Sequence, residues 1–140
     1  MSPYLLRTFL LISALSVSGC AEKPSWKLFE KNDETAIYYL QNEADSGKHS
    51  VSIRYAFTSP QVFTKPDGSQ VQFHVREETL LLKCDGGTFS TPDFSLHQPT
   101  EKGNAGVVYW QSVAPDKTEW IPIGDGSLAK KLMDSSIIAC

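Results

Sequence analysis

Residues 51–57 (Val-Ser-Ile-Arg-Tyr-Ala-Phe) place a large apolar side chain at every second position. That period of two puts Val51, Ile53, Tyr55 and Phe57 on one side of an extended strand, with Ser52, Arg54 and Ala56 on the other. A strand of this kind belongs in a sheet with one face covered, since a one-residue slip would turn all four large side chains to solvent. The question is then what covers that face.

Most of the chain after residue 25 reads as further strands and turns. Residues 26–30 and 35–40 flank the polar turn 31–34 and form a hairpin signal. Pro60 is expected to end the strand that begins near residue 51, and Lys65-Pro66-Asp67-Gly68-Ser69 is a strong turn sequence. Residues 70–84 hold two alternating stretches out of phase. Val71, Phe73 and Val75 lie on odd positions, whereas Leu80, Leu82 and Cys84 lie on even ones. A β-bulge or bend near Glu77-Glu78 would reconcile them. A short strand at 88–91, a long polar excursion over 92–106, and extended segments at 107–113 and 120–123 complete the reading.

Only the C-terminus has helical periodicity. After Ser127 or Asp125 as cap, Ala129, Leu132, Met133, Ser136, Ile137 and Cys140 fall on one face of a helix over residues 128–140. The expected fold is therefore α+β: a single antiparallel sheet of about six strands, with a C-terminal helix packed on one face and tied to it by a disulfide. The cysteines supply the tie.

There are three cysteines, Cys20, Cys84 and Cys140. Cys20 follows one cation (Arg7), an apolar stretch at 8–17 and the small residues Ser18-Gly19, the layout of a secretory signal. The apolar stretch is too short to span a bilayer, which takes about 20 residues. Val17-Ser18-Gly19-Cys20 resembles the bacterial lipobox, whose cysteine is acylated and heads the mature chain. An ordinary cleaved signal with a chance cysteine is the alternative. With Cys20 lipidated, Cys84 and Cys140 remain to pair in an oxidising compartment, the alternative being two unpaired buried thiols. A Cys84–Cys140 bridge would be worth roughly 4 kcal/mol by loop-closure entropy.

The expected organisation is a signal peptide (residues 1–19), a lipidated N-terminus with a short tether (20–25) and one globular domain (26–140). Removing 19 of 140 residues leaves 121, enough for one modest core. Loss of Arg7 takes the net charge from −3 to −4, and no basic cluster suggests nucleic acid. Residues 21–25 reach roughly 15–18 Å when extended, so the domain would sit close to its membrane.

Signals for chemistry are thin. His49, His74 and His97 are too far apart for a metal-ligand motif, and His74 sits on the polar parity of its strand, where exposure is expected. Gly47-Lys48-His49-Ser50 lacks the upstream glycine of a phosphate loop, with Asn42 at that position. Glu77 and Glu78 are strand neighbours and point to opposite faces, so they form no catalytic pair. Cys84, aligned with buried leucines, is a bridge residue before it is a nucleophile. We expect no enzyme activity, no cofactor and no metal. Tyr38-Tyr39 and Tyr109-Trp110 each force one aromatic ring away from the core, and an exposed ring of this kind suits contact with a protein partner.

The order of these motifs resembles the surface-adhesin protein E family of bacterial lipoproteins: the lipobox, Trp26-Lys27-Leu28, Ile37-Tyr38-Tyr39, Leu82-Lys83-Cys84-Asp85, Trp120 with Pro122, Gly126-Ser127, and Ile137-Ile138-Ala139-Cys140. The resemblance implies an antiparallel sheet with a disulfide-tied C-terminal helix. It also implies an outer-membrane lipoprotein whose partners are the bilayer, through Cys20, and host extracellular-matrix or serum proteins. A periplasm-facing envelope role in structure, assembly or small-ligand binding is the alternative. Ala21 after Cys20 is not the aspartate that retains lipoproteins in the inner membrane, which favours the outer membrane without fixing the face.

Overall fold

The computed structural model describes residues 25–42, 48–99 and 105–138; Cys20, Cys140 and the signal-like segment lie outside them. Six strands follow one another in space as in sequence, each antiparallel to the next. They are β1 (Lys27–Lys31), β2 (Thr35–Gln41), β3 (Lys48–Thr64), β4 (Gln70–Lys83), β5 (Thr88–Pro99) and β6 (Ala105–Ser112). A two-residue strand, β7 (Ile121–Pro122), pairs with Thr88 and Phe89 of β5, below the stretch that β6 occupies. The helix α1 (Leu128–Asp134) comes last. The single antiparallel sheet with a short C-terminal helix is thus observed.

Local chemistry explains the turns. Asn32 Oδ1 accepts hydrogen bonds from the backbone N–H groups of Glu34 and Thr35, each at 2.8 Å, and closes the β1–β2 hairpin. At the β3–β4 tip Gly68 takes φ 85°, a conformation that costs glycine little. Asp67 Oδ1 there accepts from the backbone N–H of Ser69 at 2.9 Å.

The core lies between α1 and one sheet face. Val51, Ile53, Leu80 and Leu82 from β3 and β4 pack with Ala129, Leu132 and Ile138, and none of the seven is more than 4% exposed. Ser127 caps the helix, its hydroxyl accepting from the Lys130 N–H at 3.2 Å. A helix of seven residues is unstable by itself, so burial of Ala129 and Leu132 is what holds it. Truncating Leu132 to alanine would cost about 2–5 kcal/mol.

Five sequence expectations require correction. Pro60 does not end its strand. Ala56 pairs with Val75 and Gln61 with Phe73, so residues 57–60 stand opposite His74 alone, and the proline, which has no N–H to give, sits in that irregularity. The parity switch occurs here rather than at Glu77-Glu78, which keep unbroken register with both neighbouring strands. The Phe57 ring stacks on Tyr55 yet also meets Phe73 edge-on at 5.9 Å, which brings the odd positions of the β4 arm onto the covered face. A second register shift falls between Thr79 and Leu81, against β5.

His74 is consequently half-buried rather than exposed, and its Nδ1 is shut from solvent with no hydrogen-bond partner among the described residues. The polar excursion at 92–106 is in large part strand: Phe94 and Leu96 alternate with Asp93, Ser95 and His97, and β5 continues to Pro99. Pro92 falls in the register shift against β4, where it has no ladder partner, and its carbonyl accepts from Val113 at 2.8 Å. Finally, α1 stops at Asp134. Ser136 adopts φ 58°, the Ile137 N–H reaches back to the Leu132 carbonyl at 3.1 Å, and the Ser136 N–H to that of Met133 at 3.0 Å. This is a Schellman ending, and it turns Ile138 down into the core.

Ser136 occupies a left-handed position where glycine is favoured, and its side chain is exposed. Ser136→Gly is therefore expected to raise the unfolding free energy by about 0.5–1 kcal/mol in urea denaturation. A loss of stability would show that the serine hydroxyl holds the chain ending.

Candidate functional site

The pairing register defines two rows of side chains, one on each side of the sheet. On the side away from α1, Leu28, Tyr38, Arg54, Glu77, Ser95 and Trp110 follow one another across all six long strands. Alternation puts Glu30, Ile37, Tyr55, Arg76, Leu96 and Tyr109 in the adjacent row on the α1 side.

The first row is polar in the middle and apolar at its ends. Arg54 Nη2 lies 2.6 Å from Glu77 Oε1, and the indole of Trp26 covers the guanidinium with its ring centre 4.2 Å from Cζ. The other Glu77 oxygen faces His97 Nε2 at 3.9 Å, and that nitrogen is 2.7 Å from Ser95 Oγ. About a third of the Arg54 and Glu77 side chains is exposed, so the pair contributes at most about 1 kcal/mol and serves chiefly to order the surface. At the flanks Leu28 is 55% exposed and Trp110 66%. The adjacent aromatic pairs divide as required: Tyr39 packs on the core cluster, while Tyr38 shares the open row. Tyr109 packs 5.1 Å from Phe63, while Trp110 turns outward.

On the other side, α1 covers only part of the face. Beside it opens a cleft of about 530 Å³ between Glu30, Ile37, Tyr55, Phe57, Arg76, Glu78 and Lys131. Glu78 lies at its floor with an 11% exposed side chain. One carboxylate oxygen accepts from the Tyr55 hydroxyl at 3.0 Å and the other from Arg76 Nε at 3.0 Å. The Arg76 guanidinium also lies over the Phe94 ring at 4.4 Å. At the rim Lys131 Nζ approaches Glu30 Oε2 at 3.4 Å. Burial, and then the adjacent Glu78 carboxylate, push the Tyr55 hydroxyl well above the ordinary tyrosine range.

A third cluster sits at the end of the sheet where β4 finishes. Trp120 lies under Lys83 Nζ at 3.9 Å, and Lys48 Nζ is 5.9 Å from the same ring. Trp26 and Trp120, two markers of the sequence resemblance, thus both lie against cations.

The structure separates the residues singled out by sequence. Glu77 and Glu78 face opposite sides, as their adjacency requires. Cys84 is disulfide-bonded. Cys20 and Cys140 lie outside the described residues. Among the described residues no three His, Cys, Asp or Glu side chains are grouped to hold a metal ion. Nor is any helix among them long and apolar enough to cross a membrane. Arg76 was not a sequence candidate: it shares the parity of Gln72 and His74, and only the irregularity opposite His74 turns it toward the covered face. Its same-strand partner two residues on, Glu78, was the available signal.

Comparison with protein-family models, with curated proteins and with solved structures gives no match. The likeness to the protein E family accordingly rests on the sequence motifs alone.

The raised Tyr55 ionisation predicts alkaline sensitivity. Below pH 10 the hydroxyl is protonated in both folded and unfolded chains, and its stabilisation is fully present. Above pH 10 the unfolded chain loses the proton first, so stability falls by up to about 1.4 kcal/mol per pH unit. Tyr55→Phe is expected to be less stable at pH 7 and to show a flatter decline between pH 10 and 11 in urea denaturation. Parallel declines for the two proteins would contradict the assignment.

Proposed function

We propose that this chain is a membrane-anchored bacterial lipoprotein acting as a non-enzymatic binding module, held by acylated Cys20 and presenting the open side of its sheet to a protein partner. The observation that carries the reading is that open side. Its row is ordered by the Trp26–Arg54–Glu77 stack and flanked by exposed Leu28 and Trp110. An exposed tryptophan beside a pre-ordered polar centre is the composition of a protein-binding hot spot.

The strand directions support the orientation. Lys27, the first residue of β1, pairs with Tyr39 near the end of β2, so the tether would enter at the end of the sheet where β2 and β4 finish. The β3–β4 tip at Gly68 would then point away from the bilayer, with the open side facing sideways. Two or three acyl chains on Cys20 would give stable anchoring, which a single chain would not.

We also assign the Cys84 bridge to Cys140. Ile138, two residues before Cys140, packs with Leu82, two residues before Cys84. That shared cluster supports the pairing, which would leave Cys20 to the lipid.

Outer-membrane delivery and a host extracellular-matrix or serum protein as partner follow from the protein E resemblance. The second reading, a periplasm-facing lipoprotein that takes a small ligand, is favoured by the cleft beside α1.

Solid-phase binding to extracellular-matrix proteins tests the first reading. Trp110→Ala is expected to weaken binding roughly 30-fold, the loss typical of a hot-spot side chain, without changing the fold. Undiminished binding by that variant would contradict the open-side reading, as would full protection of the domain from protease on intact cells while a known surface protein is shaved.

A further inference from the structure

We infer that the cleft beside α1 is a binding site for a small apolar monocarboxylate, separate from the open side of the sheet. The inference rests on how Arg76 is held. Its Nε is spent on Glu78 at 3.0 Å and one face of its guanidinium on Phe94 at 4.4 Å. Glu78 is itself fixed from the other side by the Tyr55 hydroxyl. The Nη edge, with up to four N–H donors, has no acceptor among the described residues. The Arg76 side chain is 32% exposed and lines the cleft. A guanidinium clamped on one edge and one face offers its remaining edge as a fork already oriented for a carboxylate.

The rest of the cleft fits the remainder of such a molecule. Ile37 and Phe57 supply apolar wall for a hydrocarbon or aryl body. The ionic lining is balanced, Arg76 with Glu78 and Lys131 with Glu30, so one added negative charge meets the Arg76 fork without the surplus of cations that a phosphate or polyanion requires. The volume of about 530 Å³ lies within the range of small-molecule sites. Glu78 in this arrangement is a positioning residue: it does not meet the ligand and acts by aiming Arg76.

The test uses the purified full chain and three probes sharing one body: 3-phenylpropionate, 3-phenylpropylamine and 3-phenylpropanol, followed by NMR shifts of the Ile37 methyl and Arg76 side-chain resonances. The acid is expected to bind at least tenfold more tightly than the alcohol or the amine, with the largest shifts at those two residues. Arg76→Gln should abolish the preference for the acid while leaving affinity for the alcohol unchanged. Because Arg76→Gln leaves Glu78 without its cation, Phe57→Ala serves as the second variant and should weaken all three probes together. Equal affinity of the acid and the alcohol for the wild-type chain would overturn the inference, as would shifts confined to the open side or no saturation by millimolar acid. None of these outcomes depends on whether a protein binds around Trp110.

Discussion

Everything in this fold follows from burying one apolar sheet face under a short C-terminal segment. Val51, Ile53, Leu80 and Leu82 form a patch that Ala129, Leu132 and Ile138 close, with Phe29 and Ile123 packed against its margin. The seven-residue helix depends on that patch as much as the patch depends on the helix. Because the segment is short, the cover is partial. The uncovered remainder of the same face becomes the Arg76–Glu78 cleft, and the reverse face carries the Arg54–Glu77 row with Trp26 stacked on it.

The two sides are therefore chemically different for a structural reason. Next to the core, where Glu78 is mostly buried, its carboxylate must have each oxygen satisfied, and Tyr55 and Arg76 do so. On the open side Glu77 and Arg54 remain part-exposed, and their pairing orders the surface more than it stabilises it. Neighbouring glutamates thus do unlike work because a strand sends them to unlike environments.

Much of this is legible in the residues themselves. The alternation at 51–57 identifies the central strand and its buried side, Ser127 marks the helix start, and the adjacency of Glu77 and Glu78 excludes a catalytic pair. The phase change along residues 70–84 shows that an irregularity must exist, but not where. It falls opposite His74 because the extra residues reside in β3, a strand away in sequence. Strand β5 is hidden by its prolines, although Phe94 and Leu96 carry the same period of two. The helix end is hidden because periodicity continues through Ile137 while the backbone reverses at Ser136. The cleft is a product of register: nothing local joins Tyr55 to Glu78 or Glu30 to Lys131.

The three cysteines make the account testable in one experiment, since the proposed disulfide and the proposed anchor use different ones. Mass-spectrometric peptide mapping of the membrane-extracted protein, digested without reduction, reads both. The account predicts a peptide containing Cys84 joined to one containing Cys140, and a mature N-terminus at Cys20 carrying acyl mass. A Cys84–Cys20 linkage, or an unmodified Cys20 within an uncleaved leader, would contradict it.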